Sequence, residues 1–318
     1  MTAEVVGIGE AMIRLSVPPG ERLETAERFD VHLGGAEANV LAALAQLGRK
    51  TAWISRLPDN PLGRRAAAEL RRHGVDVDHV RWSTDDRMGL YFVEAGVAPR
   101  PTEVWYDRRD SAASGFELDE VPWEVVENAR LVHLSGITPA LSSSCRDITL
   151  RAAEVATRSA TMVSIDVNYR SRLWPANQAR EVLSELCRYA SLLICSAEDA
   201  RDVFGVGGDG EEAAAGLADV LGVARVVVTA GATGASWYDR GSGDTAAAFE
   251  ATVIDRVGSG DAFAAGVVAG MLDDDLEAGV RLGLAMAAIK LGLGGDQLVT
   301  TAAEVQRLIE GHPRSVRR

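Results

Sequence analysis

The stretch DRVGSGDAFAAG, Asp255 to Gly266, sets an acid at the mouth of what could be an anion site. Gly258, Ser259 and Gly260 precede a small-residue helical pattern that opens with Asp261, Ala262 and Phe263. A helix beginning there gathers unpaired backbone N–H groups at its positive end, which can hold a phosphate without a lysine. Asp261 sets an acid at the mouth of that hole. The same residues also suit an ordinary helix start, with Ser259 or Asp261 as N-cap and the glycines forming a tight turn. A second glycine-led helix is written in LGGAEANVLAALAQLG, where Gly34 and Gly35 come before a helix carrying Asn39 near its first turn. Its apolar face is Val40, Leu44 and Leu47. A plain glycine turn is the simpler reading of that segment taken alone.

Other chemistries find little support. Lys50 and Lys290 are the only lysines, and no Gly-Lys pair occurs, so Schiff-base and Walker-type phosphate lysines are poorly served. His32, His73, His79, His133 and His312 lie far apart, with no spacing that builds a metal site. No G-x-S-x-G nucleophile elbow occurs. Gly205 to Gly210 formally match G-x-G-x-x-G, but SAEDARDVF before them reads as a helix and the glycines as its C-terminal cap. Cys145, Cys187 and Cys195 sit among apolar residues and read as buried thiols of a reducing compartment. A formal charge of −13 speaks against a nucleic-acid surface. No apolar run reaches the roughly 18 residues of a membrane span, and MTAEVVGIGE lacks a basic leader and reads as a first strand. A cytoplasmic protein without membrane attachment is expected.

The elements that must position these residues follow from the apolar pattern. VVGIG, TAWIS, ARLVHLS, TMVSIDV, ASLLICS and ARVVVTA are short apolar runs separated by helical segments. They predict an α/β fold with a mostly parallel central sheet flanked by helices. Residues 12–33 and 81–107 break the rhythm with alternation and turn residues, and predict a small antiparallel β lid built from two insertions in a single domain spanning 1–318. Exposed edges of such a lid suit pairing with a second copy, so a homo-oligomer is expected. GHPRSVRR reads as a loose tail.

The order and separation of GGAEANV and DRVGSGDAFAAG resemble the ribokinase (PfkB) family of carbohydrate kinases, and the resemblance covers nearly the whole chain. It implies a ribokinase-like fold and ATP-dependent phosphorylation of a sugar, with magnesium arriving on the nucleotide. It implies sugar-side roles for Gly34, Gly35 and Asn39, an anion hole of Gly258, Ser259 and Gly260, and Asp261 as catalytic base. On the nucleotide side it implies Ser196, and Thr229, Gly231 and Gly234 of VVVTAGATGA. There are departures. Arg14 stands in GEAMIRLS where many ribokinase-like and fructokinase-like chains place an aspartate. Ser196-Ala197-Glu198-Asp199 lacks the asparagine of a common N-x-x-E motif, Ser259 replaces a frequent alanine, and Arg256 leaves a monovalent-cation site near Asp255 unsupported.

GGAEANV, GLYFVEAG, WYDRRDSAAS and DVNYRSRLW are similar to the corresponding segments of 2-keto-3-deoxygluconate kinases. That similarity implies substrate contacts from Tyr91, Tyr106, Arg108 and Arg170. The chemistry agrees, since a keto acid carries a carboxylate that local guanidinium and phenol groups can hold. Alternatives remain in the residues themselves: Arg108 and Arg109 could pair with Asp107 and Asp110 in a solvated loop, the tyrosines could pack on a strand, and Arg170 could cap a strand end. A kinase for a neutral sugar or nucleoside, or a silent sugar-binding regulator, would share the same fold.

Overall fold

The computed structural model describes residues 3–97 and 99–311, so the predicted loose tail lies outside the described residues except for Gly311. Its strands are β1 (Val5–Ile8), β2 (Met12–Val17), β3 (Asp30–Gly34), β4 (Thr51–Pro58), β5 (Val80–Ser83), β6 (Gly89–Glu94), β7 (Glu103–Asp107), β8 (Leu131–Ser135), β9 (Met162–Asp166), β10 (Leu192–Ser196), β11 (Arg225–Thr229), β12 (Ala235–Asp239) and β13 (Ser242–Ala246). Its helices are α1 (Ala36–Gln46), α2 (Pro61–Arg72), α3 (Trp123–Glu127), α4 (Ser143–Arg158), α5 (Ala176–Cys187), α6 (Ala197–Phe204), α7 (Gly210–Leu221), α8 (Ser259–Leu272), α9 (Leu276–Leu291) and α10 (Ala302–Ile309).

The uninterrupted apolar runs are buried on both faces, as a helix-covered parallel sheet demands. The nine-stranded sheet has the order β13-β12-β11-β10-β9-β8-β1-β4-β5. Neighbours from β5 across to β11 are parallel, and β12 and β13 close that edge antiparallel. Alternate strand residues feed two cores. Val5, Trp53, Leu131 and Ile194 pack with α1, α8 and α9, whereas Val6, Ile54, Val132 and Ile165 pack with α4, α5 and α7.

Chain order runs outward from β1 to β4 and β5, then returns to β8 on the other side of β1 and continues to β11. Such a reversal leaves a crevice outside the carboxyl ends of the strands, where open α/β sheets bind ligands. Helix α8 starts at that crevice and packs closely on α9. A Cβ on Gly266 would overlap the backbone of Gly283, and one on Gly270 the backbone of Gly279, so glycine is required along this contact.

A separate four-stranded sheet, β3-β2-β6-β7, covers one side of the crevice. Its outer pairs, β2–β3 and β6–β7, are antiparallel, and its central pair, β2–β6, is parallel. The start of the stretch predicted for this sheet goes elsewhere: Val80–Ser83 pairs with β4 at the edge of the large sheet. The stray glycine motif is a helix end, since Gly205 caps α6 in the left-handed conformation and Val206 N–H returns to the Ala200 carbonyl. The three cysteines are free and buried, and burial pushes the Cys145 thiol up to about 11.

Candidate active site

A crevice of about 580 Å3 lies between the two sheets and is lined by residues from the ends of β9, β10 and β11, the start of α1, and the loop into α8. That loop is bent by Gly258, whose φ of 85° is left-handed and whose missing Cβ would overlap the Asp296 carbonyl. Asp255 braces the loop from below, accepting from Val257 N at 3.0 Å and from Gly295 N at 3.1 Å. Gly260 faces open space and lines the crevice, so its N–H and that of Asp261, both without an intrahelical acceptor, are free for an anion. Ser259 departs from the expected hole. Its N–H and its hydroxyl both donate to the Arg256 carbonyl, at 3.3 and 2.9 Å, and it does not line the crevice.

Asp261 is fixed from α1. Asn39 Nδ2 donates to Asp261 Oδ2 at 2.7 Å, and Asn39 Oδ1 is buried with no partner among the described residues. Asn39 owes its place to the Gly34-Gly35 turn and to Glu37, whose buried carboxyl accepts from Ser135 N–H, Ser135 Oγ and Thr138 Oγ1. Burial pushes the Asp261 carboxyl up to about 7, against the Asn39 hydrogen bond and with the repulsion of Asp296. Asp166, last residue of β9, is pushed up to about 8 by burial and by Asp261 beside it. Asp199 in the first turn of α6 is raised by burial too, and accepts from Tyr169 N. Arg170, exposed above this group, counters the shift of all three.

The opposite wall comes from the small sheet. Tyr91 stacks on Tyr106 with ring centroids 5.8 Å apart, and its hydroxyl donates to Asp296. Arg108 lines the crevice but is not a free guanidinium: it is buried, with Nε and Nη2 both donating to Glu10 Oε2, and Ser111 Oγ donating to Glu10 Oε1. It also lies over the Tyr106 ring. The surface pairing weighed in the sequence goes to Asp107 and Arg87 instead. Arg14 is buried between Asp255 and Asp296, at 2.6 and 2.7 Å, and belongs to the floor of the site.

On the remaining side, Ser196 caps α6 through Asp199 N and lines the crevice together with Glu198, Asp199 and Thr229. Gly231 and Gly234 form the turn between β11 and β12, outside the lining. The structure thus gathers Gly34, Gly35, Asn39, Tyr91, Tyr106, Arg108, Arg170, Ser196, Thr229, Gly258, Gly260 and Asp261, and leaves Ser259, Gly231 and Gly234 aside. It adds Glu10, Asp166 and Asp296, which the sequence reading did not single out. Asp166 had a usable signal, as the last residue of an apolar strand run, SIDV, that must end at the crevice. Among the described residues no group of three or more His, Cys, Asp or Glu side chains is arranged to hold a metal ion, and no helix is long and apolar enough to cross a membrane.

Comparison with known proteins shows the family. Residues 2–302 match the sequence model of the family described as pfkB family carbohydrate kinase. The chain is 42% identical over 312 residues to a 2-dehydro-3-deoxygalactonokinase of Haloferax volcanii, covering 98% of each chain. It is 33% identical to a 2-dehydro-3-deoxygluconokinase of Thermoproteus tenax, covering 96% of this chain and 94% of the other. The crystal structure of a 2-dehydro-3-deoxygluconokinase from Thermotoga maritima superposes with a TM-score of 0.91 at 34% identity, over 98% of this chain and 99% of that one.

Proposed function

The chain belongs to the pfkB family of carbohydrate kinases, and from that membership we propose that it transfers the γ-phosphoryl group of Mg·ATP to the 6-hydroxyl of a 2-keto-3-deoxy sugar acid. The observation that carries the mechanism is the carboxylate of Asp261 held by Asn39 at the N-terminus of α8. The sugar acid lies against Gly34, Gly35, Asn39, Tyr91 and Tyr106, with Arg170 and the outer donors of Arg108 meeting its carboxylate and keto group. Asp261 accepts the hydroxyl proton as the oxygen attacks phosphorus. The N–H groups of Gly260 and Asp261 hold the charge on the transferring group, and the bond to ADP breaks.

The residues fit the nucleotide: the Gly258 bend leaves an open cradle above Gly260, and Ser196 and Thr229 line the wall beyond it. Magnesium carried by the nucleotide would neutralise phosphate charge, and Glu198, Asp199 and Asp202 are the carboxylates on that side that would hold it. Arg14 removes one acceptor that a neutral sugar would use. Clamped by two carboxylates, it offers no acceptor to sugar hydroxyls where an aspartate would.

The small sheet acts as a lid in this reading. Phe29, Val31 and Trp105 are 38, 37 and 41% exposed on it, and we infer that it pairs with a second copy. A monomeric mass in sedimentation would remove that part. The proposed setting is the cytoplasm, which supplies Mg·ATP. The test of the activity is ADP release with 2-keto-3-deoxygluconate, 2-keto-3-deoxygalactonate, fructose and ribose. Turnover confined to the keto acids and lost in Asp261→Asn is expected, and turnover with a neutral sugar alone would overturn the substrate class.

A further inference from the structure

Lys290, one of two lysines in the chain, has no exposed surface at all. It sits in the last turn of α9, and its ammonium donates to the carbonyls of Asp255 at 3.3 Å and Leu293 at 3.2 Å. A buried cation is costly, and a site that only needed filling would take an apolar side chain. The position explains what it does instead. Asp255 begins the loop that carries Gly258 and Gly260 to the crevice, and Leu293 begins the turn that carries Asp296 beneath it. The two segments are also stitched by Ile254 N and Asp255 N donating to the Leu291 carbonyl, and by Gly295 N donating to Asp255 Oδ2.

Lys290 is one of two cations among the carboxylates around the loop. Asp255, Asp296 and Asp261 are the carboxylates there, and Arg14 and Lys290 are the cations. Without the ammonium, Arg14 alone would face those carboxylates beneath the N–H groups offered to phosphate. We propose that Lys290 is a built-in monovalent cation that ties the anion loop to the Leu293–Asp296 turn, making it a positioning residue for nucleotide phosphates. An ammonium held by carbonyls has nearly the size and charge of a potassium ion in the same cage, so the free enzyme needs no monovalent cation from solution.

The inference rests on the kinase reading for its nucleotide, and its test separates the two. Wild type is assayed with Mg·ATP and keto acid in sodium, potassium and tetramethylammonium chloride at constant ionic strength, and equal rates are expected. Lys290→Ala empties the cage, and ATP should bind at least about tenfold more weakly by calorimetry. The KM for the keto acid should stay nearly constant, and potassium or ammonium ions, but not tetramethylammonium, should restore ATP binding. Lys290→Met fills the same space without charge and should not be rescued. If Lys290→Ala is too unstable to assay, its melting temperature should rise with potassium or ammonium and not with tetramethylammonium. Potassium activation of wild type, ATP binding unchanged in a folded Lys290→Ala, or no cation-specific response in that variant would each overturn the proposal. Absence of turnover on every sugar acid would remove the kinase reading and leave the cation-specific melting to decide this one.

Discussion

Asn39 in α1 and Asp261 in α8 meet through a 2.7 Å hydrogen bond that spans 222 residues of chain and joins the two glycine-led motifs into one site. It orients the Asp261 carboxylate and favours its charged form. Asp261→Asn should therefore lower kcat by about 10²–10⁴-fold, the usual range for a lost general base, with little change in either KM. Asn39→Ala should lower kcat less and move the acid limb of the pH profile upward, because the bond that opposes protonation is gone. Steady-state kinetics of both variants across pH check this.

The second prediction concerns pH. Burial pushes Asp261 up to about 7 and Asp166 up to about 8, and a base works only when deprotonated. Activity should fall as pH drops through about 7, with the apparent value belonging to the pair rather than to either residue. Stability should run the other way. Unfolded, both groups release their protons near about pH 4, so the folded state binds more protons from there up to its own raised values, and stability declines over that interval. Asp261→Asn removes one such group. Its melting temperature should exceed that of wild type at pH 8, with the advantage vanishing near pH 4.

How much of this was legible in one sequence can be judged from Arg108 and Arg14. The parallel sheet and the two glycine-led helices are local patterns, and apolar runs with their turn residues announce them. Arg108, by contrast, reads as a surface charge among Asp107 and Asp110, and only the fold shows that its partner is Glu10, 98 residues away. Arg14 is visible as a departure from a familiar aspartate, but its meaning waits on Asp296, 282 residues further on. Pairings set by topology leave no periodic trace. The placing of Ser259 was hidden for a finer reason: the turn that presents Gly260 directs the Ser259 N–H and hydroxyl to the Arg256 carbonyl.

Arg108 and Arg170 should separate on mutation because one is buried and paired and the other is exposed. Removing one partner of a buried ion pair costs about 3–5 kcal/mol, since the other is left uncompensated. Arg108→Ala should lower the melting temperature as well as raise the keto-acid KM, and Glu10→Gln should destabilise without abolishing turnover. Arg170→Ala should raise the keto-acid KM while leaving the melting temperature near that of wild type. Paired melting and kinetic measurements on the three variants decide it, and equal destabilisation by both arginine variants would contradict the assignment.

Arg14 offers the sharpest test of the floor beneath the site. Its guanidinium forks between Asp255 and Asp296 and also donates from Nε to Ser16 Oγ at 2.6 Å, three bonds that no ammonium group on a lysine stem can copy in plane. Arg14→Lys should therefore be destabilised, and Arg14→Met more so, by about 3–5 kcal/mol, because the buried Asp296 and half-buried Asp255 would face each other without their shared cation. The loss should depend on pH in a definite sense. Burial already raises Asp296 and Arg14 opposes that rise, so removing the arginine raises it further. Protonation then relieves the repulsion, and the variant should lie closer to wild type in melting temperature at pH 5 than at pH 8. A deficit equal at both values would mean that Arg14 acts through packing rather than charge.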